Sequence, residues 1–331
     1  METLSYVIIG AGNIFWTVHC PNLKSISHLR CVGLCDPAEA AHKRAQEEMG
    51  VPVFSSIDEL KASGILADAV LNFSPPFARD QAIEVARHLN VPIFMEKPAA
   101  TGLAAGKIIE QIIRKENIPT SVGFMFRYIP AVATLKNLLH DQPIVHILSE
   151  YVCPALTKWN LPDWFLMKDV SGGPIIDQAI HMIDLVRFIA GDIQQVMAVE
   201  SNVVRKKSET CTVEDSSTSI LKFANGATGA HIQSWVHDVE AGRITVWTPS
   251  DRLTLHMDGR LEGYADGKPV DIEPSTKPNH HLREMQVFFE AVAVGDFANI
   301  LSSYDDALRS LAVAEAINTS MANNQPLLIN D

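Results

Sequence analysis

The sequence has no apolar run approaching the ~20 residues that a membrane-spanning helix needs. It has no basic leader either. The chain begins Met1-Glu2-Thr3-Leu4-Ser5-Tyr6, and Gly10 interrupts the first apolar run, unlike a secretory signal. Positive charge is scarce: 27 Lys and Arg stand against 39 Asp and Glu, a formal net charge of −12. Such a chain lacks the electrostatic footprint for nucleic acid or anionic lipid. Its densest basic cluster, Arg205-Lys206-Lys207, lies beside Glu209 and reads as a solvated turn. The five cysteines, Cys20, Cys31, Cys35, Cys153 and Cys211, are odd in number and form no CxxC pair. This is neither a disulfide framework nor a zinc site. The expectation is a cytoplasmic protein with buried thiols, no metal, and no nucleic-acid or membrane partner.

What is present suits two globular domains, since 331 residues exceed one typical domain and 47% of them are apolar. The first third alternates short apolar runs with helical patterns. The runs cover residues 4–10, 29–35, 67–73, 91–95 and 120–124, each apolar on both faces, as buried parallel strands are. The helical patterns cover 37–49, with Asp36 as a possible N-cap and Pro37 at the first helical position, then 77–89 and 101–117. This rhythm predicts a doubly wound parallel sheet over residues 1–123. Beyond it the pattern changes. A helix over 130–139 is followed by period-two runs at 144–152, 195–204, 217–223, 228–236, 243–248, 252–257 and 270–272. Helices are expected at 175–190, 282–294 and 303–323. The fold class is therefore α/β: an N-terminal Rossmann domain, then an α+β domain over 124–331 with a large, mostly antiparallel sheet. The terminal helix is free to pack back on the first domain.

Gly10-Ala11-Gly12-Asn13-Ile14-Phe15 closes the first strand and opens a helix. The first Gly permits the tight turn, the second lets the backbone approach a pyrophosphate, and the helix N-terminus offers N–H groups to the anion. Asp36 ends the second strand, where a carboxylate accepts from adenosine ribose hydroxyls. Its charge would repel a 2′-phosphate, and its neighbours Pro37, Ala38 and Glu39 offer no cation, so NAD is favoured over NADP. Phe15 occupies a position that normally takes a small residue. Either the helix stands off the sheet, or the ring points along the cleft.

Glu96-Lys97-Pro98 follows the fourth strand, at the carboxyl end where ligands bind in open parallel sheets; alone it equally suits a surface turn. A second cluster runs Gly172-Gly173 to Asp177, His181 and Asp184. Asp177 and His181 are four apart, hence on one helix face. Such a pair binds metal, acts as acid and base, or forms a core contact. Oxidation of a secondary alcohol needs a base for the hydroxyl proton. The His181 imidazole suits it, with Asp177 fixing the tautomer and the Lys97 ammonium stabilising a developing alkoxide; the residues leave open whether Lys97 or His181 takes the proton.

Taken in order, Gly10-Ala11-Gly12-Asn13-Ile14, Asp36-Pro37, Ser74-Pro75, Glu96-Lys97-Pro98, Gly123-Phe124 with Arg127, and Gly172-Gly173 leading to Asp177 and His181 resemble the Gfo/Idh/MocA oxidoreductases over nearly the whole chain. The resemblance implies an NAD(P)-dependent dehydrogenase or reductase that moves a hydride between nicotinamide and a CH–OH group of a sugar, polyol or derivative. It matches Lys97 to the catalytic lysine, and Asp177 and His181 to the substrate-side carboxylate and imidazole. Gly10, Gly12, Asn13, Ile14, Asp36, Ser74, Pro75 and Glu96 are expected around the cofactor. The chain departs from the family at Pro76 and Arg79, where Asn and His are frequent, and at Met125-Phe126, where an Asn-Arg pair is frequent.

Arg127, Trp159 and Trp164 are candidate substrate contacts, the rings as stacking platforms for a sugar; a structural ion pair for Arg127 and a loop anchored in the core for the rings suit the sequence equally. His231, Gln233, Trp235 and His237 alternate on one strand and are expected on a semi-polar face buried against another subunit. A homodimer or homotetramer follows from that. His280-His281 is a further candidate for the cleft. Two other readings fit the same scaffold: an NAD-dependent glycosidase, and a non-catalytic dinucleotide-binding regulator.

Overall fold

The computed structural model describes residues 2–139, 142–274 and 279–329. It divides into two compact units. Residues 1–125 and 279–308 form the first, and residues 126–278 and 309–331 the second.

The first unit holds a six-stranded parallel sheet. Its strands are β1 (Leu4–Ile9), β2 (Leu29–Cys35), β3 (Val53–Phe54), β4 (Ala69–Asn72), β5 (Ile93–Met95) and β6 (Thr120–Val122), in the order β3-β2-β1-β4-β5-β6. That order reverses direction beside β1 and is the Rossmann order. β1, β4 and β5 are buried on both faces because helices cover both sides. Strand β3 and the helix Ile57–Ala62 are additions to the sequence reading. At two half-buried residues, β3 is too short for its apolar pattern to mark a strand. Asp36 does not cap the helix Glu39–Met49; Ala38 holds the cap position, and Asp36 accepts its N–H instead.

The division at 123/124 is corrected at the C-terminal side. The segment 279–308 belongs to the first unit, so the helix His280–Val294 and the start of the last helix both return to it. In the first of these, Met285, Phe288 and Phe289 repeat at helical spacing and enter the core formed by Ile8, Leu34, Leu71 and Phe94. The last helix, Tyr304–Asn323, begins in the first unit, where the Tyr304 N–H donates to Thr120 Oγ1 at 3.0 Å.

The second unit carries a nine-stranded sheet. Its strands are β7 (His146–Val152), β8 (Ile193–Ser201), β9 (Ser216–Phe223), β10 (Thr228–Ser234), β11 (Ala241–Trp247), β12 (Arg252–His256), β13 (Leu261–Ala265), β14 (Lys268–Ile272) and β15 (Leu327–Leu328). Their order is β14-β13-β12-β11-β7-β10-β9-β8-β15. Among the described residues every neighbouring pair is antiparallel except β7 with β10. β13 and β15 are additions to the sequence reading. On one face lie Ile147, Ser149, Val196, Leu221, His231 and Gln233, all buried.

Candidate active site

The turn after β1 is shaped by close approach. Gly10 has φ +83°, and a Cβ there would sit 2.5 Å from the Ser74 backbone nitrogen. Only glycine fits both demands. At Gly12 a Cβ would meet nothing within 4 Å, and Gly12, Asn13 and Ile14 are all exposed. Backbone that is bare, open and at the start of a helix fits a pyrophosphate. The sequence offered two fates for Phe15, and the structure shows neither. Phe15 is fully buried against Trp16 and Phe73, with ring centroids 4.7 and 5.5 Å away. The helix accommodates the ring by opening as a π-turn over Phe15–His19 before the α-helix Cys20–Lys24. π-turns of this kind recur at functional sites.

Asp36 closes the turn. Its Oδ2 accepts the Ala11 N–H at 2.7 Å, and its Oδ1 accepts the Ala38 N–H at 2.8 Å. A carboxylate fixed by two backbone donors still has lone pairs for ribose hydroxyls. Ser74 is buried and donates through Oγ to Asn72 Oδ1 at 2.6 Å, while Pro75 beside it is exposed.

Lys97 follows β5. From Ile93 to Ala100 every residue is buried except Lys97. Its C=O accepts from Arg79 Nη2 at 2.9 Å, and its N–H donates to Glu96 Oε2 at 3.1 Å. Arg79 is itself buried, and burial lowers its pKa to about 10 against the opposing pull of Glu96. Glu96, expected beside the cofactor, is buried, as Ser74 and His181 are. Its other oxygen lies 2.6 Å from His19 Nε2, and little of the residue reaches the surface. Burial pushes the Glu96 carboxyl up, but the His19 hydrogen bond and the charges of His19, His281 and Lys97 hold it at about 2. His281 lies edge-on to His19, 5.7 Å between centroids, so it belongs to this interior cluster.

In the second unit, Gly172 turns the chain at φ +79°, where a Cβ would fall 2.6 Å from that of Ile176. The next turn, Ile175–Ala179, is again a π-turn, and the α-helix Ile180–Ala190 continues it. Asp177 lies in the wide turn and His181 in the first turn beyond. Between Gly173 and Arg187, Asp177 is the one residue that is not buried. Neighbouring Gln178 anchors the turn: its Oε1 accepts from Trp235 Nε1 at 2.5 Å and Cys153 Sγ at 3.0 Å. The His181 ring lies 5.4 Å from that of Phe126.

Arg127 is corrected as a substrate contact. It is 4% exposed and paired bidentately with Asp184, Nε to Oδ2 at 2.7 Å and Nη2 to Oδ1 at 2.6 Å. Its guanidinium also lies 4.7 Å above the Phe188 ring. Trp159 is exposed. Trp164 is half-buried against Phe165, which packs on the small core around Cys153 and Trp235. The strand containing His231 is corrected too. His231, Gln233 and Trp235 are buried inside their own unit, and the open face of the sheet carries exposed apolar residues such as Ile220 and Ile232 beside Glu150, Arg243 and Lys222. Among the described residues no group of three or more His, Cys, Asp or Glu is placed to hold a metal ion. No described helix is long and apolar enough to cross a membrane.

Sequence reasoning missed His19. The signal was present: His19 sits four residues after Phe15 and four before Leu23, a polar residue in a buried helical stripe.

Residues 4–124 match the family described as an oxidoreductase family with an NAD-binding Rossmann fold, and residues 143–254 match the GFO/IDH/MocA C-terminal domain. The chain is 26% identical to scyllo-inositol 2-dehydrogenase (NAD(+)) of Bacillus subtilis (strain 168), over 98% of this chain and 95% of that protein. It is 29% identical to levoglucosan dehydrogenase of Pseudarthrobacter phenanthrenivorans, over 73% of each. Its fold is similar to that of a levoglucosan dehydrogenase in complex with NADH and levoglucosan, with a TM-score of 0.86, 19% identity and coverage of 99% and 100%. An oxidoreductase from Kribbella flavida gives a TM-score of 0.87 at 22% identity, with full coverage of both chains. With both halves matched, the chain belongs to the Gfo/Idh/MocA family of NAD-binding oxidoreductases.

Proposed function

We propose that the protein transfers a hydride between nicotinamide and a secondary alcohol or ketone of a sugar, polyol or derivative, with Lys97, Asp177 and His181 as its catalytic groups. The observation that carries this is selective exposure. In two long buried runs, Lys97 and Asp177 alone reach the surface. Burying a polar side chain without partners is costly, and presenting one from a rigid buried run is how a fold preorganises a reactive group.

Gly12, Asn13 and Ile14 would hold the pyrophosphate, and Asp36 the adenosine ribose, with Ser74 and Pro75 at the nicotinamide side. The dinucleotide, when bound, supplies the hydride acceptor. His181 takes the hydroxyl proton, Asp177 orients the imidazole and accepts from a second hydroxyl, and the Lys97 ammonium donates to the oxygen where negative charge develops. Trp159 and Trp164 stand as stacking surfaces for a sugar ring. The Asp36 charge favours NAD over NADP. The named activities of the inositol and levoglucosan dehydrogenases among its relatives support a carbohydrate-like substrate. The glycosidase and regulator readings have no observation in their favour.

The test is a panel of inositols, levoglucosan and aldoses with NAD and with NADP, followed at the NADH absorbance. Lys97→Ala should lower turnover by roughly 10²–10³ while NADH affinity changes little. Full turnover in folded Lys97→Ala would end this mechanism.

Self-association is part of the proposal. On the open sheet face, Leu148, Ala230, Ile220 and Met197 form one cross-strand row, and Ile232, Thr218 and Val199 a second that runs on to Glu150. Leu148, Met197, Val199, Ile220 and Ile232 are each at least 40% exposed. A contiguous apolar patch of this kind marks an interface, and a second copy of the chain can meet it isologously.

A further inference from the structure

We propose that His19 is a positioning residue for Lys97, acting through Glu96. The inference rests on the reading of Lys97 as a catalytic group. A lysine side chain is long and flexible, so the fold can fix only its root. Here both backbone polar groups of Lys97 are held by buried charges, the N–H by Glu96 Oε2 at 3.1 Å and the C=O by Arg79 Nη2 at 2.9 Å.

Glu96 is in turn held twice. Its N–H donates to the Asn72 C=O at 3.0 Å, on the neighbouring strand. Its Oε1 lies 2.6 Å from His19 Nε2, a bond to an ionised carboxylate. Gly123 leaves room for the other oxygen, since a Cβ there would lie 3.2 Å from Oε2. His19 is fully buried, stacked on Phe73 at 4.3 Å and edge-on to His281 at 5.7 Å. Its ring therefore has little freedom to turn. The low pKa of Glu96, about 2, keeps the carboxylate charged throughout the working range. Removing the imidazole frees Oε1 and lets the carboxylate rotate off the Lys97 N–H. The π-turn that accommodates Phe15 ends at His19, so the same local widening serves the glycine turn and this contact.

The experiment uses the full chain with two readouts. Hydrogen exchange at the Lys97 amide needs no substrate. Turnover is measured with the panel substrate, alongside NADH affinity from fluorescence titration. In His19→Ala, exchange at Lys97 should quicken at least about tenfold. The turnover number should fall about tenfold with NADH affinity within about twofold, the scale of a misplaced catalytic group. His19→Gln restores a donor to Glu96 and should recover most of both. If His19→Ala does not fold, His19→Phe keeps the stack on Phe73, removes the donor and is held to the same criteria. Unchanged exchange and turnover in the folded variant, with only a lower melting temperature, would overturn the inference. Lys97→Ala is run in parallel. If it keeps full turnover, the functional reading falls and the inference falls with it. If it loses turnover while His19→Ala keeps it, the inference falls alone.

Discussion

Arg127 shows how far a residue's surroundings override its type. In sequence it reads equally as a substrate contact or as half of a structural ion pair; in the fold it pairs with a carboxylate that has no access to water. Arg127→Ala leaves Asp184 buried with Ser310 Oγ as a remaining donor at 2.7 Å. Breaking a buried pair by removing one partner costs about 3–5 kcal/mol. Urea denaturation should show that loss, and a change confined to substrate KM at unaltered stability would restore Arg127 to the binding site. His231 sets a pH dependence. Burial lowers its pKa from 6.5 to about 4. Above pH 6.5 neither folded nor unfolded chain protonates it. Between 6.5 and 4 only the unfolded chain takes the proton, so stability falls as pH falls, by about 2 kcal/mol at pH 5. His281, also lowered to about 4 by burial, acts in the same window. Glu96 adds a lower one, between its ordinary 4.5 and about 2. Denaturation midpoints at pH 7 and pH 5 check this. His231→Gln should lose less stability than the unaltered protein over that interval, and equal losses would refute the assignment.

At the scale of elements, the turn between β1 and the first helix separates folding from binding within three residues. A Cβ at Gly10 collides with the backbone at Ser74, and φ is in the left-handed region. A Cβ at Gly12 meets open space. Gly10→Ala should therefore lower the melting temperature and abolish NADH binding together. Gly12→Ala should keep the melting temperature within a degree or two, about the shift of a surface change, and still weaken NADH binding at least tenfold. Calorimetry and fluorescence titration on the two variants decide it. Intact NADH affinity in Gly12→Ala would remove the pyrophosphate from this turn. Both π-turns, at Phe15–His19 and Ile175–Ala179, place a proposed functional residue at or beside a widened helix. No pattern of residue types announces that widening, because it is a compromise between helix geometry and the bulk of Phe15 or the anchoring of Gln178.

For the whole molecule, the proposal turns on the open face of the nine-stranded sheet. Sedimentation at micromolar concentration should show a dimer or a dimer of dimers. Ile220→Glu, at the centre of the longer apolar row, should shift it toward monomer without changing the melting temperature of the separated chain by much. A monomer in the unaltered protein would refute the assignment of this face. The earlier placement of His231 and Gln233 on that face failed for a specific reason. Alternation tells which residues share a face and is silent on which face is covered; the buried set is polar at His231, Gln233, Ser217 and Ser219, while the open set carries Ile220 and Ile232.

By itself the sequence determined the local and the periodic. The strand–helix rhythm of the first third, the glycine turn with Asp36, the strand end carrying Lys97 and the helix carrying Asp177 and His181 were all legible. Each depends on interactions among residues near in sequence, or on a repeat that burial imposes. Tertiary structure decided the rest. It returned the helix His280–Val294 to the first core through Met285, Phe288 and Phe289. It turned Glu96 inward onto His19, 77 residues away, and paired Arg127 with Asp184 at a separation of 57. Long-range pairings are set by which apolar stripes pack together and which charges must then be neutralised, and neither is encoded in a window of neighbouring residues.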